Sequence, residues 1–197
     1  MIWYYEYNII NVVIVNIKSQ IVAKGVKMYS AKELALYLLS LDKDKKVFNL
    51  NIATYNDRTF YEGNCRLNKM LQLAQNIYYA GTGERLIKED MYAYDNGGVV
   101  LEIQEHYKEI LKNRDNEAAD INDEQLEKLL REVYKEFSNL HIADVIQISH
   151  QDPEWQQKNK SYEREFQKME LSNMGGWYKT KMKSLAKYLG GYKNEQN

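Results

Sequence analysis

A chain of 197 residues has room for one domain with an extension, or for two small ones, and is long enough to bury a real hydrophobic core. With 27 basic and 28 acidic side chains, formal charge -1 and pI ≈ 6.3, it carries no overall field that points to nucleic acid or an anionic membrane as its main partner. Its single cysteine, Cys65, rules out an internal disulfide, so a reducing cytoplasm is the expected compartment.

Residues 1–27 place Trp3, Tyr4 and Tyr5 ahead of Val12, Val13, Ile14 and Val15, and these β-formers show no 3.6-residue period. They read as a strand-like N-terminal extension. The apolar run from Ile9 to Ile17 is broken by Asn11 and Asn16 and no basic residue precedes it, which argues against a signal or membrane span. A domain start is expected at Met28, because Ser30 and Glu33 stand at capping-box spacing ahead of Leu34, Ala35, Leu38 and Leu41. Val47 to Tyr61 mixes β-formers around Asn56-Asp57 and predicts a short hairpin. Asn64 is then the expected N-cap of the best core helix, with Leu67, Met70, Leu71, Ala74, Ile77 and Tyr78 on one stripe and Gly81 and Gly83 as its stop.

The Asn96-Gly97-Gly98 turn is expected to lead into a helix through Val99, Ile103, His106 and Tyr107. Asn122 or Asp123 starts the next, carrying Leu126, Leu129, Leu130, Val133 and Phe137, and Ser138-Asn139 closes it. Ile142, Val145, Ile146 and Ser149 follow at helical spacing up to the Asp152-Pro153 break, after which Glu154 to Leu171 reads as one long charged helix. Met174-Gly175-Gly176 is a hinge-like stop before a last amphipathic helix bearing Met182, Leu185, Ala186 and Leu189. The fold class is therefore mainly α, a compact multi-helix domain with a small β-hairpin insertion. It divides as an extension over 1–27, a helical domain over 28–155 and a C-terminal helical extension over 156–197.

No catalytic constellation stands out. Cys65 with His141 or His150 lies on separate elements, and His106, His141 and His150 lack the donor spacing that zinc demands. Gly81-Thr82-Gly83-Glu84 and Asn96-Gly97-Gly98-Val99 match neither the P-loop nor the dinucleotide fingerprint. No metal, no cofactor and no enzymatic activity are expected. The Gly97-Gly98 turn has two readings: backbone amides at a helix start that attract a partner carboxylate, or glycines needed for a tight turn, the latter favoured. The run Lys179, Lys181, Lys183, Lys187 and Lys193 reads as a solvated face.

Three ordered segments resemble the Panacea domain, the SocA-like, phage GepA-related antitoxin domain. Arg66-Leu67-Asn68-Lys69-Met70-Leu71-Gln72-Leu73-Ala74-Gln75 resembles the family's L-x-K-L-L-Y-x-A-Q helix, and Thr82-Gly83-Glu84-Arg85-Leu86 its T-G-x-P-L. Met91 to Val100 resembles A-W-x-x-G-P-V-V, with Tyr94 for the usual Trp and Gly98 for the usual Pro. Ile148-Ser149-His150-Gln151-Asp152-Pro153-Glu154-Trp155 resembles the T-H-x-x-x-P-W close.

The resemblance implies a mainly helical fold and a protein-binding antitoxin that neutralises a cognate toxin by direct contact, one described member being a protease adaptor that delivers its toxin to ClpXP. Because the domain also travels in phage genomes, the alternative is a counter-defence inhibitor of a bacterial defence effector such as a CRISPR nuclease. Lys69, Tyr94, His150, Pro153 and Trp155 carry the motifs, as scaffold or as contacts. The expected partner surface comprises Asn96, Gly97, Gly98 and Glu102 together with Trp177, Lys181 and Tyr188 of the last helix, since aromatic and cationic anchors dominate such interfaces. Membrane and direct nucleic-acid binding are not expected.

Overall fold

The computed structural model describes residues 27–117, 119, 121–159 and 166–171. Among them the chain is mainly α-helical with two small antiparallel hairpins. Residues 1–26 of the strand-like extension expected over 1–27, and the final helix, lie outside the described residues.

Helix α1 (Ala31–Leu41) begins at the expected capping box: Ser30 Oγ accepts the Glu33 amide at 3.1 Å while the Glu33 carboxylate accepts the Ser30 amide at 2.7 Å. It ends at Asp42, whose buried carboxylate accepts the amides of Lys46, Val47 and Phe48 and turns the chain toward the first hairpin. That hairpin pairs β1 (Ile52–Tyr55) with β2 (Arg58–Tyr61), and the Asn56-Asp57 turn holds φ of 47° and 60°. Two consecutive left-handed residues make the turn that matches strand twist, and Asn and Asp tolerate that region best among residues with a Cβ.

Strand β2 runs without a loop into α2 (Glu62–Thr82), the 21-residue helix at the centre of the molecule. Here the expectation needs correction, because Tyr61 and not Asn64 is the N-cap residue. Asn64 lies inside the first turn, buried, and its Nδ2 donates to the Gln104 carbonyl at 3.1 Å. Of the two glycines expected to stop the helix, Gly83 caps α2 at φ 79°, whereas Gly81 lies within its last turn.

Between Met91 and Val100 the structure departs from the sequence reading. The glycine pair does not open a helix. It lies in a second hairpin, β3 (Met91–Tyr94) paired with β4 (Gly97–Val100), and α3 (Leu101–Asn113) starts only after it, so Val99 is a strand residue. Helix α4 (Glu124–Phe137) is capped by Asp123, α5 (Ile142–Ser149) by His141 and the short α6 (Pro153–Lys158) by Asp152, with Pro153 in the first turn, where its missing N–H costs nothing.

The long helix expected over Glu154–Leu171 is not formed. Helix α6 stops at Lys158, and residues 166–171 return extended along β3, where the Ala93 amide donates to the Gln167 carbonyl and the Met169 amide to the Met91 carbonyl. A bond from the Glu170 amide to the buried Glu154 carboxylate, at 3.0 Å, and a Lys168–Asp90 pair at 2.9 Å hold that return. Charge-rich sequence gave the helical pattern, whereas an open strand edge won the segment.

The core forms where the apolar stripe of α2 meets its neighbours. Leu67, Met70, Leu71 and Ala74 are fully buried together with Leu34, Leu38, Leu130, Val145 and Ile146, so α1, α4 and α5 all pack on α2. No helix among the described residues is long and apolar enough to cross a membrane.

Candidate functional site

Helix α2 buries its polar side as completely as its apolar side. Asn64, Asn68, Gln72, Gln75 and Asn76, at i, i+4, i+8, i+11 and i+12, are all buried, as are Arg66 and Lys69. Burying amides and cations is costly unless each finds a partner. Here the partners are mainly backbone groups of neighbouring segments.

Three side chains of α2 hold strand β4. Asn68 Oδ1 accepts the Val100 amide at 3.0 Å, Gln72 Oε1 accepts the Gly98 amide at 2.9 Å, and Lys69 Nζ donates to the Gly98 carbonyl at 2.9 Å. Further along, Gln75 Oε1 accepts the amides of Leu86 and Ile87, and at the other end Arg66 donates to the carbonyls of Phe137 and Leu140, closing the C-terminus of α4. Gln72 and Asn76 also donate to Asp152 Oδ2 at 2.9 and 3.0 Å, while Oδ1 of the same carboxylate caps α6 through the amides of Glu154 and Trp155. Burial pushes the Asp152 pKa up, against these hydrogen bonds, which favour the ionised form.

The two glycines are where helix and strand approach most closely. A Cβ on Gly97 would sit 2.4 Å from Ser149 Oγ and 2.7 Å from Lys69 Cε, and one on Gly98 would sit 2.8 Å from Gln72 and from the Met91 sulfur. Gly97 also has φ +106°, a conformation that side chains with a Cβ rarely adopt. Both glycines are buried, and the Gly98 amide is already held by Gln72.

Around this hairpin the motif residues assemble. The rings of His150 and Trp155 stack at 3.7 Å and 5°, Trp155 Nε1 donates to the Tyr94 carbonyl at 2.7 Å, and the Tyr94 ring stacks on Phe166 at 3.6 Å. His150 has its pKa lowered to about 4, by burial first and by the Lys69 charge second, with a hydrogen bond to the Asp95 backbone opposing both. Pro153 starts α6, which sets Trp155 beneath the hairpin. Asn96 is in the hairpin turn and Glu102 in the first turn of α3, both half-buried. Trp177, Lys181 and Tyr188 lie outside the described residues.

Of the groups weighed for chemistry, Cys65 is buried and burial pushes its thiol pKa up, away from the reactive thiolate. His141 is occupied as a cap, its Nδ1 accepting the Ala143 amide at 3.3 Å. Among the described residues no group of three or more His, Cys, Asp or Glu side chains is placed to hold a metal ion. Between the two hairpins and α2 lies a cavity of ≈ 160 Å³, whose buried lining includes Cys65, Asn68 and Lys69.

Sequence reasoning found Lys69, Tyr94, His150, Pro153 and Trp155 but gave no individual role to Asn68, Gln72, Gln75 and Asn76, and read Asp152 only as part of the break before Pro153. The signal was present as a stripe of carboxamides at helical spacing beside the apolar stripe, a pattern that an exposed face would rarely restrict to Asn and Gln.

These features define a mainly helical domain in which one two-faced helix clamps a glycine hairpin and a capped His-Pro-Trp turn. Residues 67–156 match the family model of the antitoxin SocA-like, Panacea domain. The match begins within the polar and apolar stripes of α2 and ends one residue past Trp155. No curated protein and no solved structure matches the chain.

Proposed function

We propose that this chain is an antitoxin that neutralises a cognate toxin by direct contact. The family match over residues 67–156 carries the reading. The geometry supports it, because the buried polar groups of α2 are spent on fixing one hairpin and one turn, which presents a preformed surface at little ordering cost. In this reading Gly97, Gly98, Lys69, Tyr94, His150, Pro153 and Trp155 position the surface. Asn96 and Glu102 meet the partner, together with Trp177, Lys181 and Tyr188. The folded unit is taken as residues 28–155 with the returning segment 166–171 docked on it.

Co-expression with the protein encoded beside it in its host tests the proposal: the chain should restore growth and co-purify with that protein. Replacing Trp177 and Lys181 by alanine should weaken rescue while leaving thermal unfolding unchanged. Rescue that requires ClpXP would mark delivery for degradation as the route. Absence of both rescue and complex would refute the antitoxin reading, and recovery of a defence nuclease in place of a toxin would turn it into counter-defence.

A further inference from the structure

We propose that the cavity between the two hairpins receives a carboxylate, with the Lys69 ammonium as its anchor. Lys69 is 1 % exposed and lines this cavity. An ammonium has three donors. The Gly98 carbonyl accepts one at 2.9 Å, and among the described residues no carboxylate pairs with Lys69.

A buried cation without a counter-ion is an expensive arrangement. Desolvation lowers the Lys69 pKa to about 8, which still leaves the group mainly protonated at neutral pH. An arriving carboxylate therefore meets a charge already stripped of water and held in position, the condition under which an ionic hydrogen bond is strongest. Cys65 beside it cannot serve as the counter-ion, since burial keeps its thiol protonated.

The rest of the lining fits the same ligand. Arg58 and Asp95 pair at 3.0 Å on the exposed side, so their charges cancel and Lys69 remains the net charge of the cavity. Phe60, Tyr94 and Phe166 supply aromatic surface for the apolar part of an acid. At ≈ 160 Å³ the cavity is smaller than a site for a drug-sized ligand and suits a short acid or a single acidic side chain. The carboxylate has two sources of equal chemistry, a free small acid or a glutamate or aspartate of a bound protein. The proposal rests on the cavity and holds whether or not the antitoxin reading does.

The test follows the Lys69 Nζ signal by NMR in the full chain at slightly acidic pH. Titrants are succinate, 3-phenylpropanoate and its amide, and blocked Phe-Glu-Phe and Phe-Gln-Phe peptides. Saturable shifts are expected with the carboxylates and not with the amide or the glutamine peptide. Tighter binding of the glutamate peptide than of both free acids assigns the site to a protein partner, and the reverse order to a small acid; either order supports the proposal. Lys69→Met should weaken carboxylate binding by about tenfold or more, and Arg58→Gln by no more than about threefold. Equal response to acid and amide probes in the wild-type chain, or no saturable response to any carboxylate, overturns the proposal without reliance on a variant that folds. Unchanged affinity in folded Lys69→Met overturns it as well.

Discussion

The two hairpins have strands of the same length, and each joins them through a two-residue turn, yet they are stabilised by opposite means. In β1–β2 no strand residue is fully buried, one face being exposed with Ile52 at 70 %, and local features shape the hairpin: two left-handed turn residues and a Thr54–Thr59 contact across the strands at 3.5 Å. In β3–β4 the turn residues Asp95 and Asn96 have no positive φ, and the left-handed position falls on Gly97 inside the strand. Every β4 residue is buried, and its backbone is read by Asn68, Lys69 and Gln72 of α2. A hairpin made by its own turn can stand at the surface. One made by its neighbours must be buried, and it is the second kind that lies at the centre of the family match.

This contrast predicts unequal sensitivity to substitution. Gly97→Ala should cause the largest loss, about 2–5 kcal/mol from left-handed strain and overlap with Ser149 and Lys69. Urea unfolding measures it, and a loss below about 1 kcal/mol would mean that α2 and β4 can separate freely. Asp152→Ala should cost about 1–3 kcal/mol, since it removes a helix cap and the carboxylate that accepts from Gln72 and Asn76, partly offset by relief of a buried carboxylate.

A pH series examines the stack beneath the second hairpin. His150 has a folded pKa of about 4 against ~6.5 unfolded, so the unfolded chain binds the proton first as pH falls. Its contribution is complete above about 6.5 and is lost between there and about 4. Asp152 works in the opposite sense, because its raised pKa makes the folded state the better proton acceptor. The difference between wild type and His150→Gln isolates the histidine: the variant should lose about 1 kcal/mol less on acidification, after discounting for the part of the ring that water reaches. Parallel pH profiles would show that His150 is not held neutral by the fold. The smallest effect belongs to the first hairpin, where Asp57→Gly should stabilise by roughly 0.5 kcal/mol because glycine relieves the positive φ. A fall in melting temperature would show that the Asp57 side chain contributes more than its backbone strain costs.

Wherever a signal and its structure lay within a few residues, reading the chain succeeded. Ser30 with Glu33, Asn56-Asp57, Gly83, Asp123 and Asp152-Pro153 each make their cap or turn through a neighbouring backbone group or their own φ, so short sequence windows carry that signal. The apolar stripe of α2 was equally plain, because burial repeats with the helix period. The motif residues Lys69, Tyr94, His150 and Trp155 were named from their order along the chain, but their roles were not visible there. Asn64 looked like a cap and became a buried tie to Gln104; Gly97 and Gly98 looked like a helix start and became a strand; the charges after Glu154 looked like a long helix and gave way to an extended return at 166–171. In each case a group 26 or more residues away along the chain decided the outcome, the Gly98 amide meeting Gln72 being the shortest of these separations. Sequence alone thus determined the apolar stripes of the core helices, the caps that act locally, the first hairpin and the ordered motifs that the family model matches. Tertiary structure decided what the polar side of α2 is for, since a buried amide is stable only beside the particular backbone group that the rest of the fold brings to it.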